Sequence, residues 1–481
     1  MIYHPSRSTA IALLVAGAFF MENLDGTVVV TALPQMAASF GVHPIDLNIG
    51  VSAYILTLAV LIPASGWVAD RFGARSVFAT AIVIFTAASV ICGFSQSLIV
   101  FTGARILQGV GGAMMVPVGR LTVLRSTEKH ALISAIATIT WPGLVAPVLG
   151  PPVGGFITTY ASWHWIFFLN LPLGLIALGL ALRLIPGGKG GSVKPFDRLG
   201  FLLSGVASFA FMYGLDLISR ESAAWSTAGF WLLGALMTGA VAVFHARRYP
   251  HPLIDFGALR IRSYAVTIWG GSLFRMAIGS IPFLLPLLFQ VAFGLSAFAS
   301  GSLVLAVFAG NLAMKPLTTP VLRRVPFRTV LVVNGILNAL TIFACALLTP
   351  TTPTGAIVAL LFVSGLTRSM QFTTLSTLAF ADVPESRMSG ANTLFNAMQQ
   401  MAMGMGIALG AGVLRIAGYF DPNASSAIPL RSFHIAFIVI GVVALIAVID
   451  VFGLDRTAGD EVRRRKGKNS PRRREGQEEK P

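Results

Sequence analysis

The 481-residue chain is 55% hydrophobic and only 11% charged, with a mean hydropathy of +0.78, against about 25% charged for an average soluble domain. This balance excludes an ordinary water-soluble enzyme or binding domain and predicts an all-α integral membrane protein embedded in a lipid bilayer. The formal charge of +16 does not point to nucleic acid, because 10 of the 35 lysines and arginines lie in the tail from Arg456 onward, where a disordered basic segment beside anionic headgroups is expected.

Hydropathy predicts fourteen spans, near residues 9–33, 47–69, 76–96, 98–123, 131–158, 163–185, 198–218, 225–245, 263–291, 297–320, 328–349, 354–378, 389–417 and 432–454. The first carries the stretch MENLDGT, Met21–Thr27. Glu22 and Asp25 are three residues apart and share a helical face. An ionised carboxylate near the bilayer centre costs roughly 2.5–3.5 kcal/mol, so such groups face a polar cavity and take part in function. Two on one face favour holding a proton between them. The competing reading is a pair of capped or ion-paired carboxylates that never cycles. No small-residue cleavage site follows, so the span is expected to be a retained helix.

Between the second and third spans lies GWVADRFGAR. Gly66 and Gly73 permit close helix approach and a tight turn, while Asp70, Arg71 and Arg75 are placed to contact a neighbouring helix end. A purely topogenic basic loop would explain the arginines but neither the glycines nor Asp70. The fourth span, RILQGVGGAMMVPVGR, buries Arg105. At 1.5 Å per residue Arg105 sits roughly 10 Å below the outer face and Asp25 about 12 Å, so either acid of the first span can serve as the partner that a buried arginine needs. The fifth span, WPGLVAPVLGPPVGGFI, combines Gly150, Gly154 and Gly155, which leave a bare helix face, with Pro151 and Pro152, which remove backbone donors.

The linker GGKGGSVKPFD and the segment HARRYPHPLIDFGALRIRS bracket the seventh and eighth spans, which read as an insertion between two six-helix halves. The divisions are 1–195 for the first bundle, 196–250 for the inserted pair, 251–455 for the second bundle and 456–481 for the tail. A faint internal echo, GWVADRFGAR against TPVLRRVPFR (Thr319–Arg328), supports duplication. Basic residues, Arg120 among them, crowd one set of loops, which places both termini in the cytoplasm. In the second half Arg275 and Arg368 fall near mid-membrane, whereas Lys315 and Asp450 are expected to snorkel from helix ends. Cys92 and Cys345 lie in apolar runs and suggest no disulfide or metal. No nucleophile–base constellation, HExxH or phosphate loop is present, so an enzyme is not expected.

GWVADRFGAR resembles the cytoplasmic loop motif of the major facilitator superfamily, and GPPVGG resembles the GPxxGG signature of its antiporters. With LDGTVVVTALPQM, SWHWIFFLNLPLG and the two extra helices, the chain is similar over nearly its whole length to the fourteen-helix drug:proton antiporters of the EmrB/QacA type, and GGAMMVPVGRL and ASWHWIF to their HsrA-like members. It departs from them at Glu22, where a neutral amide is frequent, and at Ala74, which shortens the basic cluster. The resemblance implies a proton-coupled exporter of small amphipathic molecules, a multidrug efflux protein working by alternating access in the bacterial inner membrane. It would have protons and a small-molecule substrate as partners, no cofactor, and a monomeric state, with a periplasmic adaptor left open. Glu22, Asp25 and Arg105 would couple protons. Candidates for the substrate cavity are Phe19, Tyr54, Gln108, Trp141, Arg275, Arg368 and Asn396. The acids and aromatics suit a lipophilic cation, while Arg275 and Arg368 suit organic acids or metal chelates; a non-transporting receptor is the reading from another class.

Overall fold

The computed structural model describes residues 7–42, 47–188, 195–219, 225–419 and 429–463. Among the described residues there are fourteen long helices: α1 (Arg7–Phe40), α2 (Ile49–Phe72), α3 (Ala74–Phe94), α4 (Leu98–Ser126), α5 (Leu132–Tyr160), α6 (His164–Leu184), α7 (Arg198–Ser219), α8 (Trp225–Arg248), α9 (Arg262–Leu287), α10 (Ala297–Arg324), α11 (Phe327–Cys345), α12 (Thr354–Ala381), α13 (Met388–Tyr419) and α14 (Leu430–Ile449). Thirteen candidate spans among the described residues are apolar and long enough to cross a bilayer, and α5, 29 residues long, supplies the fourteenth helix of that length. Helices are what such a chain must form, because hydrocarbon offers no partner for a backbone N–H or C=O.

The packing repeats. α1 lies against α4, α5 and α6, α2 against α4, and α3 against α4 and α6; α9 to α14 repeat each of these pairings with the helix number advanced by eight. The crossings between the halves are related in the same way: α5 touches α10 and α12, and α13 touches α2 and α4. The expected duplication is therefore visible as a pseudo-twofold arrangement. α7 and α8 pack on each other, and α7 rests on α2 and α13, so the inserted pair lies along one seam only.

Burial shows where the halves meet. One apolar core runs through both, taking Ile11, Leu121 and Ile133 from the first and Phe327, Phe380 and Phe395 from the second. Two further cores stay within single halves: Leu24, Val28, Phe101 and Phe167 in the first, Leu284, Phe289, Phe433 and Phe437 in the second. The halves are joined on the face that carries the basic loops and have separate cores toward the other.

The tail, expected to be disordered from residue 456, is ordered through a short helix α15 (Asp460–Arg463), because Val462 is buried and Glu461 pairs with Lys129. The remainder of the tail lies outside the described residues.

Candidate functional site

Asp25 is buried in α1 and accepts three side-chain hydrogen bonds. Arg105 Nη1 donates to its Oδ2 at 2.6 Å, and Gln108 Nε2 and Asn170 Nδ2 donate to its Oδ1 at 2.9 and 2.8 Å. A second ring of contacts fixes these donors. Arg105 Nη1 also donates to Gln108 Oε1 at 2.5 Å, while Gln108 and Asn170 donate to Ser89 Oγ at 2.7 and 3.2 Å. Ser89 in turn donates to the Phe85 carbonyl at 2.9 Å. Side chains from α1, α3, α4 and α6 thus close around one carboxylate. Arg105 lies 4.5 Å from the centroid of the Tyr54 ring, which adds a cation–π contact. A desolvated ion pair holds together only with such auxiliary hydrogen bonds.

Glu22, one turn earlier on the same face, is partly buried and does not join this network. Its Oε1 and the Tyr54 hydroxyl both border the bare position of Gly112, and Glu22 Oε2 has no hydrogen-bond partner. The two acids were expected to act as one pair. Instead Asp25 is saturated by donors and Glu22 faces Tyr54 across a small gap, because Arg105 and Gln108, a turn apart on α4, bind only the acid at their own depth.

The loop after α2 acts on the contact between halves. Gly66 is buried, and a Cβ there would stand 2.3 Å from Thr393 Oγ1 on α13. Gly73 has φ +82°, the left-handed value that lets α2 turn directly into α3. Asp70 pairs with Arg125 at the end of α4 at 2.7 Å, both half-exposed, and Arg75 donates to the Leu182 carbonyl. Arg71 is exposed. In α5 the backbone stays helical through Pro151 and Pro152, whose side chains lie outside the described residues. A Cβ at Gly150 would meet Thr27 Oγ1 at 2.2 Å, so this glycine brings α5 onto α1; Gly154 is buried, and Gly155 has nothing within 4 Å of its Cβ position.

The residues offered as cavity lining do not share one open space in this conformation. Gln108 belongs to the Asp25 network. Tyr54 and Phe19 are buried beside Arg105 and Arg120, Phe19 at 5.8 Å from the latter. Asn396 accepts from Arg120 Nη1 at 2.8 Å, which makes it a link between α13 and α4. Arg275 and Arg368 are buried, and Trp141 is exposed. Asn396 lies where the halves meet, whereas Tyr54 and Gln108 are packed within the first half.

Two residues depart from their sequence assignments. Arg120 was assigned to a basic loop but is buried within α4. Lys315 was expected to snorkel, but α10 continues to Arg324, nine residues further and roughly 13 Å at 1.5 Å per residue. Its ammonium turns inward instead and donates at 3.0 Å to Thr140 Oγ1 of α5 and to Thr373 Oγ1 of α12. Asp450 does lie at a helix end, where it receives Arg262 at 2.7 Å. Ser89 was missed altogether, being one small polar residue among many in apolar helices.

Comparison with known proteins agrees with this architecture. The Major Facilitator Superfamily family signature matches residues 15–407. The chain is 35% identical over 443 residues to MdtD of Citrobacter koseri, a protein named for multidrug resistance, covering 90% of this chain and 93% of that one. It is 34% identical over 463 residues to MdtD of Klebsiella pneumoniae, covering 95% and 97%. Among solved structures, the proton:xylose symporter XylE aligns with a TM-score of 0.67 at 14% identity over 95% of this chain and 98% of that one. The human organic anion transporter MFSD10 aligns with a TM-score of 0.65 at 13% identity over 93% and 100%; both share the fold. Fourteen long helices, two bundles with the same internal packing, and this sequence match lead to one conclusion: the chain belongs to the major facilitator superfamily of membrane transporters.

Proposed function

We propose that this transporter is a proton-coupled exporter of small amphipathic molecules, a multidrug efflux protein of the bacterial inner membrane, with its basic face and both termini in the cytoplasm. The observation that carries the reading is the buried pair of Asp25 and Arg105 with its closed ring of amide donors. Its relatives' name supports export of drugs, and the crowding of basic residues on one face supports the orientation.

The chemistry follows from the hydrogen bonds. Ionised Asp25 has acceptors for all three donors and neutralises Arg105. A proton arriving from the outer side removes the charge and turns one acceptor oxygen into a donor that opposes the amides around it. Arg105 then keeps Gln108 Oε1 but loses its counter-ion, and the contact between α1 and α4 weakens. The two packings of the halves differ by a few such contacts, so protonation at this point shifts their populations. Opening of the cytoplasmic face admits substrate, and return of the proton to that side re-forms the pair. Glu22 beside Tyr54 is a second acid on the same path, with no donor ring of its own.

Asp25→Asn tests this in proteoliposomes carrying an imposed pH gradient. The account predicts a folded protein that still exchanges substrate across the membrane but no longer concentrates it in response to the gradient. Gradient-driven accumulation at the wild-type level would refute the assignment.

A further inference from the structure

The two halves treat their buried charges differently. In the first, α1 supplies a carboxylate and α4 an arginine that neutralise each other, while Arg120, also buried on α4, is held by Asn396 of α13. In the second, the counterpart helices α9 and α12 carry Arg275 and Arg368, α10 carries Lys315, and none of α9 to α14 contains an aspartate or glutamate. A buried charge requires a partner, and here the chain itself supplies none.

Two of these cations contact one stretch of α12, Arg368–Thr373, and the third belongs to it. Arg275 lies 5.9 Å from the centroid of the Phe372 ring, Lys315 donates to the adjacent Thr373, and Arg368 lies one turn further along. Donors around this stretch are left over. Arg275 makes one hydrogen bond, from Nη1 to the Thr267 carbonyl at 3.0 Å, while its Nε and Nη2 have no partner. Arg368 Nε, Ser369 Oγ and both amide atoms of Asn311, one turn from Lys315, are also buried and unpartnered. All of them are donors or hydroxyls except the amide oxygen. The halves are closed over this region on the basic face, so separation of α5 from α10 and α12 would uncover it from the cytoplasm.

We infer that Arg275, Arg368, Lys315 and Asn311 form a recognition site for the carboxylate of an amphipathic substrate, with Phe372 and Phe395 flanking its apolar part. Two guanidiniums, an ammonium and an amide match the lone pairs of one carboxylate. Arg275 already stacks at 4.6 Å from the Phe395 ring centroid, which pre-orients it without using its free N–H groups. The inference rests on the exporter reading and narrows its substrate to molecules bearing an acid group.

Equilibrium binding to the purified full-length protein tests it, with fluorescein as a carboxylate probe and ethidium as a cationic one, read by fluorescence anisotropy. Wild type binds fluorescein, benzoate displaces it, and tetraphenylphosphonium does not. Arg275→Gln and Arg368→Gln each weaken fluorescein binding by about tenfold or more, the scale of a lost charge-assisted hydrogen bond, while Arg368→Lys recovers part of the loss. Absence of fluorescein binding to wild type, displacement by the cation as effective as by benzoate, or equal loss of both dyes in folded glutamine variants would overturn the site. Wild-type protein that binds fluorescein but does not accumulate substrate in response to an imposed pH gradient would refute the exporter reading and leave the anion site standing.

Discussion

Replacing Asp25 by asparagine changes one atom and removes one charge, and the hydrogen bonds allow its effect to be worked through. The carboxylate offers two oxygens to Arg105, Gln108 and Asn170. The amide offers one oxygen and adds an NH2 group among donors, so at least one existing donor is stranded and Arg105 loses its counter-ion in a site from which both side chains exclude solvent. Removing one partner of a buried ion pair costs ~3–5 kcal/mol, roughly two to three and a half powers of ten in an equilibrium constant. The single variant is therefore expected to show a lower midpoint in thermal or denaturant unfolding. Arg105→Gln in the same background removes the stranded charge and restores amide-to-amide bonding, so the double variant recovers most of the stability and none of the proton coupling. Equal stability of the single and double variants, or of Asp25→Asn and wild type, would show that the pair carries no such energy.

Other substitutions probe the remaining contacts. Gly66→Val places side-chain atoms where Thr393 Oγ1 lies 2.3 Å from the Cβ position, and is expected to hold the basic face open, measured as longer spin-label distances between the ends of α2 and α13 on that face. Gly150→Val drives into Thr27 and is expected to cost ~1–3 kcal/mol through overpacking of α1 against α5, read in unfolding. Asp70→Asn removes a half-exposed pair with Arg125, so its stability effect is expected to stay below about 1 kcal/mol even where transport slows. Glu22→Gln is expected to retain coupled transport while changing the proton-to-substrate ratio or the substrate range; unchanged values for both would exclude Glu22 from the proton path.

The fold was largely legible because hydropathy, basic-loop asymmetry and the lipid solvent act through composition, and each of the fourteen spans can be found by adding up local terms. The meeting of Asp25 and Arg105 was legible for a similar reason: two buried opposite charges at equal depth must find each other. What escaped depended on packing between distant segments. Lys315 reads as a helix-end lysine until α10 is seen to run on to Arg324. Arg120 reads as topogenic until α13 brings Asn396 to it. Gln108 and Asn170 were visible as polar residues, but their attachment to Asp25 depends on how α4 and α6 rotate about their axes, which spacing alone leaves open. Ser89 gave no signal, since a serine in an apolar helix most often bonds its own backbone.

Proton release on substrate binding tests the central claim most directly. In weakly buffered detergent solution with a pH-indicator dye, substrate added to protonated wild-type protein is predicted to discharge protons, and Asp25→Asn is predicted to bind the same substrate without that discharge. Undiminished release from Asp25→Asn would contradict the claim that Asp25 carries the proton that substrate binding releases.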